Sequence, residues 1–301
     1  MSKSVKIWLI IAASLILIGC VAFVGVMTVL RWDFAKLSTV QYETRTYEIG
    51  EDYKNISIVS DTADIVLVPS QDAKSAVECY EQKNVKHAIA VKDGTLVIEI
   101  ADARKWYERI EIGVGSPKIT VYLPQGEYGA LSVRSDTGDM EIAKGFCFES
   151  IDISQRTGNV TNYASATGTI KIKTTTGDIC VENVSAGSLE LSVSTGDTYL
   201  ADIACKNVRS EGDTGDLLLK NVIAEQGVFV TRTTGDVTFE GADAAEIIVQ
   251  TDTGDVKGSL LSDKVFVTST DTGRVRVPST ATGGRCEITT DTGDIQIRIQ
   301  Q

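Results

Sequence analysis

The 301-residue chain contains a single histidine, His87. That excludes a multi-histidine metal site. Any Ser-His or Cys-His nucleophile system would have to use this one residue, and a lone histidine is more often structural than catalytic. Aromatic side chains are scarce, at 6%. Small residues, β-branched residues and turn formers take their place, a balance that suits many short strands rather than helix bundles. Basic residues are the minority: 29 Lys and Arg stand against 41 Asp and Glu, for a net charge of −12. Such a surface repels DNA, RNA and anionic lipid headgroups, so nucleic acid is not expected as a partner. The six cysteines are Cys20, Cys79, Cys147, Cys180, Cys205 and Cys286. Cys20 lies in the apolar N-terminal run. The other five have no CxxC and no metal-ligand spacing, so they read as thiols packed like small hydrophobes.

Charge is also missing from Ile7 to Leu30. This stretch exceeds the ~20 residues that span a bilayer as a helix, and it shows no polar face. Lys3 and Lys6 precede it, while Arg31 and Lys36 follow it with Asp33 between them. The short basic head favours an N-in orientation with residues 31–301 outside. Leu17-Ile18-Gly19-Cys20 also fits a lipoprotein signal that would leave Cys20 lipidated, although the residues after Cys20 stay apolar. A cleaved secretory signal is the third reading. An uncleaved anchor is the leading one.

What the chain has in abundance is a tripeptide comb. Gly138, Gly158, Gly177, Gly196, Gly215, Gly235, Gly254, Gly273 and Gly293 recur every 19 or 20 residues, and each follows a Thr. Seven precede an Asp; the exceptions are Asn159 and Arg274. On either side apolar residues alternate, as in Leu189 and Leu191 before one turn and Leu217 and Leu219 after the next. Period-two alternation around a glycine turn reads as strand, turn, strand. The glycine supplies positive φ, expected at Gly196 and Gly215 in particular, and the Asp can bond local backbone amides. A looser break falls mid-repeat, at Gly168-Thr169, Ala186-Gly187-Ser188, Gln226-Gly227 and Gly283-Gly284, giving about two strands per repeat. Each strand has too few inward side chains to make a core alone, whereas stacking makes a continuous one. The expected fold is therefore all-β: a β-solenoid of 19–20-residue repeats preceded by one transmembrane helix. At ~4.8 Å per coil, nine coils would run roughly 43 Å. Val265 and Val267 fall one residue out of phase, which suggests a bulge.

The expected organisation is a cytoplasmic N-terminus over 1–6, a transmembrane helix over 7–30, a polar stalk over 31–50, an irregular β region and cap over 51–130, and the solenoid over 131–301. Ile56 to Val68 is a degenerate repeat with Ala63 in the glycine position. Val77–Glu81, Ala88–Lys92 and Thr95–Ile100 read as strands, and Asp93-Gly94 as a hairpin turn. Arg104 to Arg109 is a charged, aromatic insertion, read as a cover for the solenoid's open end or as a binding lip.

With its comb and the strand Lys118-Ile119-Thr120-Val121-Tyr122-Leu123-Pro124, the chain resembles, over about residues 50–299, the bacterial putative-adhesin domain-of-unknown-function family, whose members include LiaG-like cell-envelope proteins. The resemblance implies a right-handed β-helix-like fold and a place at the cell envelope, sometimes linked to envelope stress. It brings no catalytic residues to carry over.

The acid comb is the one constellation with a functional hypothesis. Asp136, Asp213, Asp252, Asp271 and Asp291 precede the Thr; Asp139, Asp178, Asp197, Asp216, Asp236, Asp255 and Asp294 follow the Gly. Stacking would place like charges about 4.8 Å apart, where each pair repels by ~0.9 kcal/mol in water. Hydration, salt, backbone bonds or divalent cations must offset this. Turn chemistry is the leading account and a Ca²⁺ ladder the second. Glycosidase chemistry needs two carboxylates in unlike environments, not a column repeated in every turn. No catalytic, cofactor-binding or metal residue is therefore expected, and no cofactor. The expected function is a non-enzymatic, membrane-anchored envelope protein whose extracytoplasmic solenoid serves adhesion, interaction or envelope-stress scaffolding, with an envelope protein or glycan as partner. The alternative is a self-assembling, bactofilin-like scaffold; a Ca²⁺-binding module comes third. No wall-sorting pattern follows Val277 to Gly283, so anchorage is expected at the N-terminus. The final strand, Ile295 to Ile299, lacks a following cap, and its edge is expected to be open to self-association.

Overall fold

The computed structural model describes residues 2–33, 41–83, 85–101 and 116–300. Lys36 and the insertion Arg104 to Arg109 lie outside them. Lys3–Val29 is a helix, started by the Ser2 hydroxyl, which accepts the Val5 amide at 3.4 Å. Its stretch Ser4–Val29 is long and apolar enough to cross a membrane, and its most apolar window has no buried residue.

The repeats wind into a β-solenoid. Each coil lays one strand in a first wall, turns at Thr-Gly, and lays the next in a second wall; pairing between coils is parallel and in register. In the first wall Ile56, Leu131, Ile151, Ile170, Leu189, Val208, Val228, Ile247, Cys286 and Phe266 stack in one row. In the second, Ile65, Met140, Val160, Ile179, Thr198, Leu217, Val237, Val256, Ile295 and Val275 form the matching row. All but Phe266 and Val275, which lie in the outermost coil, are buried. The period-two alternation thus becomes one continuous apolar core between two walls.

The mid-repeat break is weaker than its glycines suggest. Thr198–Thr214, Leu217–Thr234 and Val237–Thr253 run as single strands around the bend. Only a register shift between Ala224 and Gly227 marks the Gln226-Gly227 site.

The chain is spliced at both ends. Asn55–Ser60 sits between Thr95–Ala101 and Gly126–Thr137, and Asp64–Pro69 between Lys118–Leu123 and Met140–Ile142. At the other end Gly284–Thr292 is inserted between Val237–Thr253 and Lys264–Thr272. Ile295–Ile299 pairs along its whole length with Val256–Leu260, and through Ile295 and Gln296 with Val275–Arg276. The final strand is therefore not the outermost one, and its second edge is unpaired only from Ile297 to Ile299 among the described residues. The outermost coil is Lys264 to Arg276, earlier in sequence. This also corrects the bulge expected at Val265: pairing there is unbroken from Lys264 to Thr270. The inward row of this last coil is Lys264, Phe266, Thr268 and Thr270, while Val265 and Val267 face out. A coil with nothing stacked beyond it has less core to complete, so a half-polar inward row is tolerated there.

Antiparallel strands close the N-terminal end. Ser75–Gln82 pairs with Lys118–Leu123, and Lys86–Lys92 with Thr95–Ala101. The hairpin turn Asp93-Gly94 has positive φ at both residues, as a two-residue turn of that sequence requires. Tyr42–Ile49, read from the sequence as stalk, is a strand on Ser75–Gln82. Tyr47 and Ile49 pack against the core, and the Tyr42 ring stacks on Tyr80 at 5.1 Å.

Candidate functional site

Two features concentrate polar chemistry: the column of turns and a buried cluster in the N-terminal cap. In the column φ is positive at Gly196 (145°) and Gly215 (132°), as the sequence predicted. Close approach is a second reason for glycine. A Cβ on Gly215 would sit 2.0 Å from the Gly196 carbonyl oxygen, and one on Gly196 would sit 2.2 Å from that of Gly177.

The acids after each glycine form a hydrogen-bonded ladder. Asp178 Oδ1 accepts the Asp197 amide, Asp197 Oδ1 the Asp216 amide, and Asp216 Oδ1 the Asp236 amide, each at 2.8 Å. The series continues from Asp236 to Asp255 at 2.9 Å and from Asp255 to Asp294 at 2.7 Å, passing directly over the sequence-order gap created by splicing. Alongside it, each glycine amide donates to the next coil's Thr carbonyl, as in Gly196 to Thr214 at 3.0 Å. Both exceptions in the comb make sense here. Asn159 Oδ1 accepts the Asp178 amide at 2.8 Å, so an amide oxygen serves as well as a carboxylate. Arg274 is in the outermost coil, where no further coil needs an acceptor; its guanidinium instead reaches Asp294 Oδ2 at 2.8 Å and holds that carboxyl below its ordinary range. A hydrogen bond to a charged group contributes about 1.5–3 kcal/mol, more than the ~0.9 kcal/mol repulsion between charges at the coil spacing in water. Backbone donors are thus sufficient to hold the column.

Behind the turns lies an inner polar row, two residues before each Thr. Gln155 Nε2 donates to the Gly138 carbonyl at 2.6 Å, and Thr290 to that of Gly254 at 3.2 Å. Gly212 and Arg232 are register partners in this row. Arg232 fills the space that a Gly212 side chain would need, and donates from Nη2 to Thr198 Oγ1 at 3.1 Å and Ser210 Oγ at 3.0 Å. Burial lowers its pKa to about 10, against the pull of Asp197 and Asp216.

The second feature was not visible as a group in the sequence. Cys79 and Glu81 share the inward face of Ser75–Gln82, and His87 is the second residue of the next strand, Lys86–Lys92. Glu81 Oε2 accepts the His87 backbone amide at 2.8 Å and lies 2.7 Å from its ring Nδ1. Cys79, a carboxylate oxygen of Glu81 and a ring nitrogen of His87 lie within 4.8 Å of one another, all buried. Glu81 Oε1 and His87 Nε2 are buried without a hydrogen-bond partner; Arg45 Nε approaches Oε1 at 3.9 Å. Glu81 and His87 line a cavity of about 220 Å³ together with Ser60, Asp61, Ala63 and Pro117. The legible signal was the C-x-E pair on one strand face with a histidine six residues on.

All six cysteines are unpaired. Burial raises the thiol of Cys79 to about 12, that of Cys205 to about 11 and that of Cys286 to about 12. At Cys79 the carboxylates of Glu81 and Glu78 add to the rise.

The family model described as Toastrack DUF4097 matches residues 53–298, most of the chain. No curated protein matches it. Among solved structures, a putative adhesin from Bacteroides fragilis is 17% identical, with a TM-score of 0.49 over 86% of this chain and 97% of its own. A putative lipid binding protein from Parabacteroides distasonis is 12% identical, with a TM-score of 0.38 over 87% of this chain and 98% of its own. A putative adhesin from Parabacteroides merdae is 13% identical, with a TM-score of 0.37 over the same 87% and 98%. Nothing about activity follows from likenesses this distant.

Proposed function

This chain belongs to the Toastrack DUF4097 family, and from that premise we propose that it is a non-enzymatic, membrane-anchored envelope protein that displays its solenoid outside the cell for adhesion or interaction. The observation that carries the reading is the helix Lys3–Val29: apolar around its circumference, unburied in its most apolar window, and preceding a domain that builds its own core. A helix hydrophobic all round needs an apolar solvent. Lys3 and Lys6 at its N-terminal end favour an orientation with the β domain outside. Adhesion suits the fold, because a solenoid offers long, regular outer faces with repeated side chains. The partner is an envelope protein or glycan. Proteinase added to intact protoplasts is expected to degrade the β domain and leave the helix in the membrane. Complete protection of the β domain would reverse the orientation.

A second reading, the self-assembling scaffold, is favoured by the outermost coil. Lys264–Thr272 pairs on one side only among the described residues, and Val265, Val267 and Val275 are exposed beside it. An unpaired strand with exposed valines can take up a strand from another copy. Light scattering of the chain in detergent should then show assemblies that Val267→Lys dissolves. A single protomer mass at high concentration for the unchanged chain removes this reading.

A further inference from the structure

We propose that Cys79, Glu81 and His87 form a binding site for a thiophilic divalent cation of the zinc class, built into the N-terminal cap of the solenoid. The three supply one sulfur, one oxygen and one nitrogen, and those atoms already lie within 4.8 Å of one another. In a tetrahedral zinc site with bonds of 2.0–2.3 Å, ligand atoms are about 3.3–3.8 Å apart, so side-chain adjustments alone would close the set. Sulfur and imidazole select zinc and its neighbours, whereas Ca²⁺ and Mg²⁺ are hard cations that favour oxygen ligands throughout, water included.

Burial makes the case stronger than the cluster alone. Among these residues Glu81 is 1% exposed and His87 6% exposed, and each keeps one side-chain atom with no hydrogen bond, Glu81 Oε1 and His87 Nε2. Orphaned buried polar atoms are costly and uncommon without a reason. A plain Glu-His hydrogen bond accounts for Oε2 and Nδ1; Oε1 then has only the guanidinium of Arg45 at 3.9 Å, and Nε2 has no hydrogen-bond partner. A cation bound among the three side chains would engage both Glu81 and His87. Glu81 and His87 also open onto the cavity with Ser60 and Asp61, leaving a fourth position for water or a small ligand, the pattern of a three-ligand open site.

The placement gives the ion a structural consequence. Cys79 and Glu81 stand on the cap strand of the second wall, and His87 on the cap strand of the first. One ion would therefore staple the two walls together where the parallel stacking gives way to antiparallel cap strands.

The test uses the full chain in detergent, reduced and then stripped with a chelator. Titrated with Co²⁺, it should bind about one ion per chain and develop a thiolate-to-cobalt charge-transfer band that Zn²⁺ abolishes by displacement. Cys79→Ser should lose the band, while Cys205→Ser and Cys286→Ser keep it. His87→Gln and Glu81→Gln should weaken binding by at least ~100-fold. Zn²⁺ should raise the Tm of the unchanged chain and leave that of His87→Gln where it is. The unchanged chain is decisive if a variant fails to fold: a folded, reduced chain with no charge-transfer band overturns the proposal. So does a band that survives in Cys79→Ser, because the sulfur would then lie elsewhere.

Discussion

Replacing Gly215 by valine is expected to destabilise the domain severely. Two costs coincide at this position. The backbone holds φ at 132°, where a β-branched residue is strained by about 1–3 kcal/mol. The new Cβ would also lie 2.0 Å from the Gly196 carbonyl oxygen and 2.5 Å from its carbon, both of them backbone atoms that cannot swing aside. Relief requires the coils to part, which breaks the Gly196 amide bond to Thr214 and the Asp216 amide bond to Asp197. Each orphaned amide adds about 1–3 kcal/mol, so with the strain the sum is about 3–9 kcal/mol, a large share of a domain's stability. Gly94 separates the two costs. Its φ is 71° but nothing lies within 4 Å of its Cβ position. Gly94→Ala should therefore lose only about 1–2 kcal/mol, the strain alone. Thermal unfolding by circular dichroism distinguishes the outcomes. Equal, small losses at Gly94 and Gly215 would mean that the coils are not packed as closely as this structure places them.

Much of this fold was legible because the repeat is local. A period of 19–20 residues, alternation around each Thr-Gly, and the degenerate repeat at Ile56 are properties of short windows, and all reappear as stacked rows. What the windows could not hold was the order of stacking. The row position of Ile56 is compatible with Leu96 on one side and Leu131 on the other whatever their order in the chain, and alternation is blind to that order. The splicing of Gly284–Thr292 inside Lys264–Thr272 escaped for the same reason, and with it the identity of the open end. The strand Tyr42–Ile49 escaped because Thr, Glu and Arg fill most of its positions and only Tyr47 and Ile49 reach the core. The cap cluster was split between two strands, so His87 looked solitary. The pairing of Gly212 with Arg232 is partly legible in hindsight: the row two residues before each Thr runs Ser135, Gln155, Thr174, Val193, and then breaks to the smallest and one of the largest side chains in succession.

Turn chemistry and a cation ladder make different demands on the acid column, and its geometry separates the two by what each requires. A hydrogen-bonded ladder needs an acceptor in each turn, charged or not. A cation column needs the charge. Asp139 and Asp178 flank Asn159, and all three use Oδ1 to accept the next coil's amide at 2.8 Å. Replacing both aspartates by alanine removes two acceptors and leaves the exposed amides of Asn159 and Asp197 to water, at a cost on the order of 1–3 kcal/mol in total. Replacing both by asparagine keeps the acceptors, extends the arrangement already present at Asn159, and removes two like charges from the stack. The direct measurement is the thermal unfolding of the full chain as Asp139→Asn/Asp178→Asn beside Asp139→Ala/Asp178→Ala, with and without millimolar Ca²⁺. A Tm for the asparagine pair equal to or above that of the unchanged chain, a clearly lowered Tm for the alanine pair, and indifference to Ca²⁺ are the predicted results. An asparagine pair that melts as early as the alanine pair, in a chain that Ca²⁺ otherwise stabilises, would show that the column depends on charge and contradict the hydrogen-bonded ladder.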